Sequence, residues 1–183
     1  MRIISGTCKG KKLSRLSGKD IRPTSDRARE ALFSIISQKI EGAVVLDLFA
    51  GTGALGFEAL SRGAEYAFFI DISEESCSVI KKNRDLCKFH DKAAIICHDI
   101  SKQVIPPMLK GKKIDLIFMD PPYCTGLLAK ALADPDLKDL MGETSLVIAE
   151  HSVKEKIPEP ISGLDIKDQR KYSKSLITFF TKK

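Results

Sequence analysis

"VVLDLFAGTGALGFEAL", Val44 to Leu60, decides how the rest of the chain is read. An apolar run ends on Asp47, glycines follow at 51, 53 and 56, and apolar residues at helical spacing come next. A buried strand, a tight turn and a helix account for that order. Gly51-x-Gly53-x-x-Gly56 is formally a nucleotide-binding turn, and Asp71 stands twenty residues beyond Gly51, where a carboxylate can bind ribose hydroxyls. Taken alone, the pattern fits an NAD-binding fold too.

Working outward, the chain alternates. Strands are expected over 44–50, 65–71, 93–99, 113–122 and 144–152, with helices over 54–63 and 73–89 and a partly helical stretch over 126–137. Upstream, Thr24, Ser25 and Asp26 offer helix caps, and Leu32, Ile35, Ile36 and Ile40 form an apolar helical face. The ending, "LDIKDQRKYSKSLITFFTKK", reads as two strands around a polar turn, and residues 2–16 as a small hairpin. Such alternation implies an α/β fold with a parallel sheet, helices on both faces and an antiparallel finish. Ligands of these sheets bind beyond the carboxyl ends of the strands. Asp47, Asp71, Asp99 and Asp120 each close a strand, so they share one rim. Like charges gathered there repel, and a ligand with cationic and hydroxyl groups is their complement.

Asp47 selects the ligand. A carboxylate beside the glycine turn opposes the pyrophosphate of a dinucleotide. S-adenosylmethionine has no phosphate; its ammonium and sulfonium suit Asp47, and its carboxylate can meet the N–H groups that open the following helix. Asp71 would take the ribose hydroxyls. Asp99 either accepts from the adenine amine or caps the segment that follows it.

"LIFMDPPYC", Leu116 to Cys124, brings a carboxylate, two prolines and an aromatic ring to the same rim. An exocyclic amine on a base is a poor nucleophile because its lone pair is delocalised. Asp120 accepting one N–H and the Pro121 carbonyl the other would aim that lone pair at a methyl donor, which is positioning and electrostatic stabilisation. Tyr123 would stack on the base, worth on the order of 1–3 kcal/mol. The base must leave its stack to be reached. A plain strand-ending turn with a surface tyrosine is the competing reading.

Charge and composition set bounds. The chain of 183 residues carries a net charge of +6. Its first 30 residues hold nine Lys or Arg against three Asp or Glu, so the whole excess lies there. A basic segment on a neutral body suits a polyanion such as nucleic acid, or else is a solvated tail. No apolar run approaches a membrane span and no signal-peptide core is visible, so a cytoplasmic protein without membrane contact is expected. Five cysteines without a Cys-x-x-Cys pair read as reduced thiols, and no metal site is expected.

With "DLFAGTGALG" followed by "DPPY", the chain resembles class I S-adenosylmethionine-dependent methyltransferases of exocyclic base amines. "RIISGTCKGKKL" and "IRPTSDRAREALF" narrow the resemblance to the RsmD family, bacterial 16S rRNA guanine-N2 methyltransferases, along essentially the whole chain. The resemblance implies a Rossmann-like fold with a mostly parallel seven-stranded sheet, an antiparallel last strand and a small N-terminal β-hairpin. The division is a basic hairpin extension over 1–22 and a methyltransferase domain over 23–183. It implies S-adenosylmethionine as cofactor, S-adenosylhomocysteine as product, and a guanine of the 30S subunit's 16S rRNA as target; a monomer is expected, though nothing in the residues fixes the oligomeric state. The cofactor set is Asp47, Phe49, Gly51, Thr52, Gly53, Asp71, Ile72, Asp99 and Ile100. Asp120, Pro121, Pro122 and Tyr123 hold the amine. Lys9, Lys11, Lys12, Arg15, Arg22, Thr24, Arg27 and Arg29 are the RNA-binding set; Arg27 and Arg29 alternatively pair with Glu30 or Asp26. "DPPY" leaves adenine N6 open as the acceptor, and a non-catalytic RNA-binding assembly factor is a further alternative. Two departures stand out: Ser173 and Ser175 where the family often has Gly and Thr, and Cys8 where Trp is common.

Overall fold

Apolar runs in a sheet covered on both sides must feed two cores, because successive side chains point to opposite faces. The computed structural model, which describes residues 1–17, 26–157, 161 and 163–183, has that arrangement. Its strands are β1 (Val44–Asp47), β2 (Tyr66–Asp71), β3 (Ala93–Cys97), β4 (Ile114–Met119), β5 (Met141–Ser152), β6 (Leu164–Tyr172) and β7 (Ser175–Lys182). Helices are α1 (Asp26–Ile35), α2 (Ala54–Ser61), α3 (Glu74–Cys87), α4 (Leu127–Ala133) and α5 (Pro135–Leu140). Val45, Phe69, Leu116, Phe118 and Ile148 pack with α1, α2 and α3 through Phe33, Phe57 and Ile80. Their neighbours Leu46, Ile70, Ile117, Met119 and Val147 face the other way, onto Leu128, Leu132, Leu137 and Leu140 of α4 and α5.

The strand order is β3-β2-β1-β4-β5-β7-β6. β1 to β5 pair in parallel, and β7 runs antiparallel to both β5 and β6. The expected seven-stranded sheet with an antiparallel last strand is therefore present. From β1 the chain first winds outward through β2 and β3, then returns to lay β4 on the other side. That reversal opens a crevice beyond the ends of β1 and β4, where ligands of this architecture bind.

Some boundaries and faces differ from expectation. β1 stops at Asp47 rather than reaching residue 50, because the chain peels away while still bonding both neighbours: the Leu48 N–H reaches the Phe118 carbonyl at 3.0 Å and the Ala50 N–H the Ile70 carbonyl at 2.9 Å. β5 starts at Met141 rather than at residue 144. On α1 the buried face is Ala28, Arg29, Leu32 and Phe33, and Ile35 is exposed. Phe33 replaces Ile35 because its ring packs on Phe118, centroids 5.8 Å apart.

The N-terminal segment folds back on itself as the small hairpin expected: Arg2 and Lys12 form an antiparallel bridge, the Ile3 N–H reaches the Lys11 carbonyl at 3.0 Å, the Gly10 N–H the Ile3 carbonyl at 2.9 Å and the Leu13 N–H the Met1 carbonyl at 3.2 Å. Other bonds stitch it to helices. Ile4 and Ser5 N–H groups donate to the carboxylate of Glu58 at 2.7 and 3.0 Å. Glu58 is fully buried on α2 and ion-paired to Arg62 at 2.7 Å. The Cys8 N–H donates to Ser61 Oγ at 2.9 Å and the Ser14 N–H to Asn83 Oδ1 at 2.7 Å. Gly6 permits this approach, since a Cβ there would lie 1.7 Å from the Ser61 carbonyl oxygen. Ile3, Cys8 and Leu13 are buried in the same core as α1 to α3. Cys8 is buried there, its Sγ against the Cys87 carbonyl. The expected division at residue 22 lies outside the described residues.

Candidate active site

β1 and β2 end on Asp47 and Asp71, and Asp120 follows β4 directly. Asp99 sits two residues past β3. All four open into one cavity of about 870 Å³ at the crevice. Phe49, Gly51, Thr52, Ile72, Ile100, Pro121, Pro122 and Tyr123 line it as well. Gly53 stands behind the wall as the cap residue of α2, at φ 78°. Gly56 is demanded by packing: a Cβ there would lie 2.3 Å from the Phe69 ring.

The carboxylates of the glycine-turn side are held by main-chain donors. Asp47 is 2% exposed, and its Oδ2 accepts the Gly56 N–H at 3.0 Å. Burial pushes its carboxyl up to about 7; the Gly56 bond opposes the rise and Asp71 adds to it. Asp71 accepts from the Gly51 N–H at 2.8 Å through one oxygen and from the Ser73 N–H at 2.9 Å through the other. It thus fixes the glycine turn and the entry to α3 together. Asp99 accepts from Ser101 N–H at 3.0 Å and Oγ at 2.6 Å. The Ser101 hydroxyl holds it below its ordinary value. Asp99 therefore braces a turn while still lining the cavity, so both expected roles stay compatible.

At the opposite wall, prolines fix the backbone ahead of Tyr123, and Cys124 behind it takes a left-handed φ of 58°. Thr125 Oγ1 donates to the Pro122 carbonyl at 2.8 Å. The Tyr123 hydroxyl donates to Glu150 Oε1 at 3.0 Å and bonds Ser175 Oγ at 3.0 Å. Burial chiefly pushes the phenol up to about 12; Ser175 opposes the rise and Glu150 adds to it. Glu150 and Ser175 were not among the expected site residues. One signal for Glu150 is present in "SLVIAE": an acid closes an apolar run, as Asp47, Asp71 and Asp120 do.

The basic residues divide. Arg15 and Arg29 line the cavity, whereas Lys9, Lys11, Lys12 and Arg27 lie outside its lining. Arg22 and Thr24 lie outside the described residues. Arg29 is 1% exposed; one guanidinium nitrogen donates to the Arg2 carbonyl at 2.6 Å and to Asp26 at 3.0 Å. The ion pair with Asp26 is the alternative foreseen for it. Among the described residues its Nε has no hydrogen-bond partner. Burial lowers the guanidinium pKa, while Glu58 and Asp26 counteract the shift. Lys11 Nζ donates to the Leu86 carbonyl at 2.8 Å, near the C-terminus of α3. Among the described residues no three His, Cys, Asp or Glu side chains group as metal ligands.

Comparison with known proteins agrees with this geometry. The family model described as "Conserved hypothetical protein 95" matches residues 1–181. YlbH of Bacillus subtilis (strain 168) is 31% identical over 183 residues, 100% of each chain. "Ribosomal RNA small subunit methyltransferase D" of Escherichia coli (strain K12) is 33% identical over 158 residues, covering 86% of this chain and 78% of its own. The solved structure of Escherichia coli yhhF superposes with a TM-score of 0.83 at 30% identity, over 100% of this chain and 98% of that one. An acidic rim, a glycine turn and a Pro-Pro-Tyr wall around one cavity thus coincide with a whole-length match, and the chain belongs to the RsmD family of class I methyltransferases.

Proposed function

We propose that the protein transfers a methyl group from S-adenosylmethionine to the exocyclic N2 amine of one guanine in 16S rRNA of the small ribosomal subunit. One observation carries the reading: Asp47 and Asp71 with the glycine turn, and Asp120 to Tyr123, face the same cavity. The residues fit the donor. A Cβ on Gly51 would meet nothing within 4 Å, so the turn is open toward a ligand. A cavity of about 870 Å³ accommodates a nucleoside with its amino-acid arm.

When bound, S-adenosylmethionine supplies an electrophilic methyl on a sulfonium centre. Asp71 retains lone pairs for ribose hydroxyls beyond the two backbone bonds it accepts. Asp47, raised to about 7, gains charge as a cation approaches and favours the ammonium and sulfonium. Phe49, Ile72 and Ile100 give the adenine an apolar slot. At the other wall Asp120 accepts one amine N–H and the Pro121 carbonyl the second. The Pro122 carbonyl is taken by Thr125. Tyr123 stacks on the flipped base. After transfer the nitrogen is cationic and acidic, and Asp120 or water takes its proton.

Basic residues at the cavity mouth and along the N-terminal segment hold phosphates, setting affinity and salt dependence rather than base choice. Such a substrate implies a cytoplasmic enzyme. No described helix is long and apolar enough to cross a membrane. The decisive experiment is methylation of 30S subunits lacking the modification, with the modified nucleoside identified and mapped. N2-methylguanosine at one site is expected. N6-methyladenosine without N2-methylguanosine would overturn the guanine reading, and absence of any methylation would overturn the enzymatic one.

A further inference from the structure

We infer that Glu150 and Ser175 are positioning residues that lock the plane of the Tyr123 ring, and so set the face on which the acceptor base stacks. This rests on the reading of Tyr123 as the stacking platform.

Tyr123 is fixed at both ends. Its backbone lies between Pro122 and the left-handed Cys124, whose N–H donates to Glu155 Oε2 at 3.2 Å. Its hydroxyl spans from the end of β4 across β5 to β7, with partners 27 and 52 residues away in sequence. An ionised carboxylate only accepts, so the phenol proton goes to Glu150. The phenol oxygen is then left as acceptor, and Ser175 Oγ–H must donate to it. Fixing the oxygen fixes the ring axis. A phenolic O–H lies in the plane of its ring, so a donor bond to β5 and an acceptor bond from β7 together fix the rotation about that axis.

The strands hold these partners in register. Glu150 pairs with Ile177 and Ser152 with Ser175 in the antiparallel β5–β7 ladder. Ser175 is 5% exposed, so its hydroxyl is committed to this network rather than to solvent. The arrangement also gives a physical role to a departure from the family pattern: serine retains the hydroxyl that threonine would bring.

The test combines two readouts. For the first, 3-fluorotyrosine is incorporated and followed by ¹⁹F NMR; with three tyrosines in the chain, Tyr123→Phe identifies the Tyr123 signal. Ser175→Ala and Glu150→Gln should each move that signal and leave that of Tyr66 in place, and Ser175→Thr should restore it; Tyr172, paired with Ser175 across the β6–β7 turn, is not used as a reference. For the second, single-turnover methyl transfer to unmethylated 30S subunits should slow roughly tenfold in Ser175→Ala and Tyr123→Phe, with half-saturation for subunits and calorimetric S-adenosylmethionine affinity within about twofold of wild type. The double variant should be no slower than Tyr123→Phe alone. A Tyr123 resonance unmoved by both partner substitutions overturns the clamp whatever the substrate is. Wild-type rates in Tyr123→Phe overturn it while leaving the guanine reading intact. A wild type that methylates another base, or none, counts against the function reading alone, because the resonance readout does not depend on turnover.

Discussion

The two walls of the cavity are built differently. On the glycine-turn side, carboxylates are held by nearby N–H groups, Asp47 by Gly56 and Asp71 by Gly51 and Ser73, with Asp99 held by both the N–H and the hydroxyl of Ser101. On the Pro-Pro-Tyr side, the Tyr123 ring is held by side chains from distant strands, Glu150 and Ser175. Among point substitutions, only proline removes a main-chain donor. A wall built on such donors is stiff and tolerant, and damage reaches it through backbone packing. A wall built on side chains can be dismantled one group at a time, with losses in rate rather than in fold.

The largest expected effect separates the walls by readout. Asp120→Asn keeps the shape of the Pro-Pro-Tyr wall and removes the charge proposed to orient the amine and accept its proton. Methyl transfer should fall by roughly a hundredfold or more, while calorimetric affinity for S-adenosylmethionine and the melting temperature stay near wild type. A parallel loss of cofactor affinity would mean that the two walls are not separable.

Next comes the backbone of the glycine side. Gly56→Ala places a methyl group against the Phe69 ring, whose nearest atom would lie 2.3 Å away. Phe69 already stacks on Phe57 with centroids 4.6 Å apart, so it has little room to withdraw. Destabilisation of about 1–3 kcal/mol is expected by urea unfolding. An unchanged midpoint would show that this wall yields more easily than its packing implies.

How much of each wall was legible in the sequence follows from the same contrast. The glycine turn, Asp47 and Asp71 were readable because donors and acceptors lie within about twenty residues and obey strand-turn-helix spacing. The clamp was not, since nothing local marks a tyrosine as bonded to residues 27 and 52 positions on. The α1 face failed for a related reason. Leu32 and Ile36 share a helical face with either Phe33 or Ile35, and only the tertiary contact with Phe118 chooses between them. The N-terminal hairpin was legible in its glycines and short apolar runs, whereas the bonds that dock it on the helices, to Glu58, Ser61 and Asn83, were not.

A pH effect of intermediate size tests the glycine wall electrostatically. Burial raises the Asp47 carboxyl in the folded protein to about 7 from its ordinary 3.8. Between those values the native state binds more protons than the unfolded one, so stability falls as pH rises from about 4 to about 7, by up to a few kcal/mol. Asp47→Asn should flatten that slope in denaturant titrations at successive pH values. A cationic donor in the cavity favours ionised Asp47, so its binding near pH 6.5 should release protons, seen as buffer-dependent calorimetric heats. A slope identical in wild type and Asp47→Asn would remove Asp47 as its source.

The smallest effect concerns the turn that carries Ser175. Ser173 links β6 to β7 at a left-handed φ of 56°, a conformation that costs a residue with a Cβ roughly 1 kcal/mol relative to glycine. Glycine at this position loses more chain entropy on folding, which offsets part of the gain. Ser173→Gly should therefore stabilise by a few tenths to about 1 kcal/mol, raising the melting temperature by roughly 1–4 °C. The Tyr172–Ser175 pairing closes the turn on either side of the substituted residue, so the Ser175 hydroxyl keeps its place and the transfer rate should be unchanged. If the rate fell while stability rose, the strained serine would be holding the clamp in tension, and the side-chain wall would extend two residues further than Ser175.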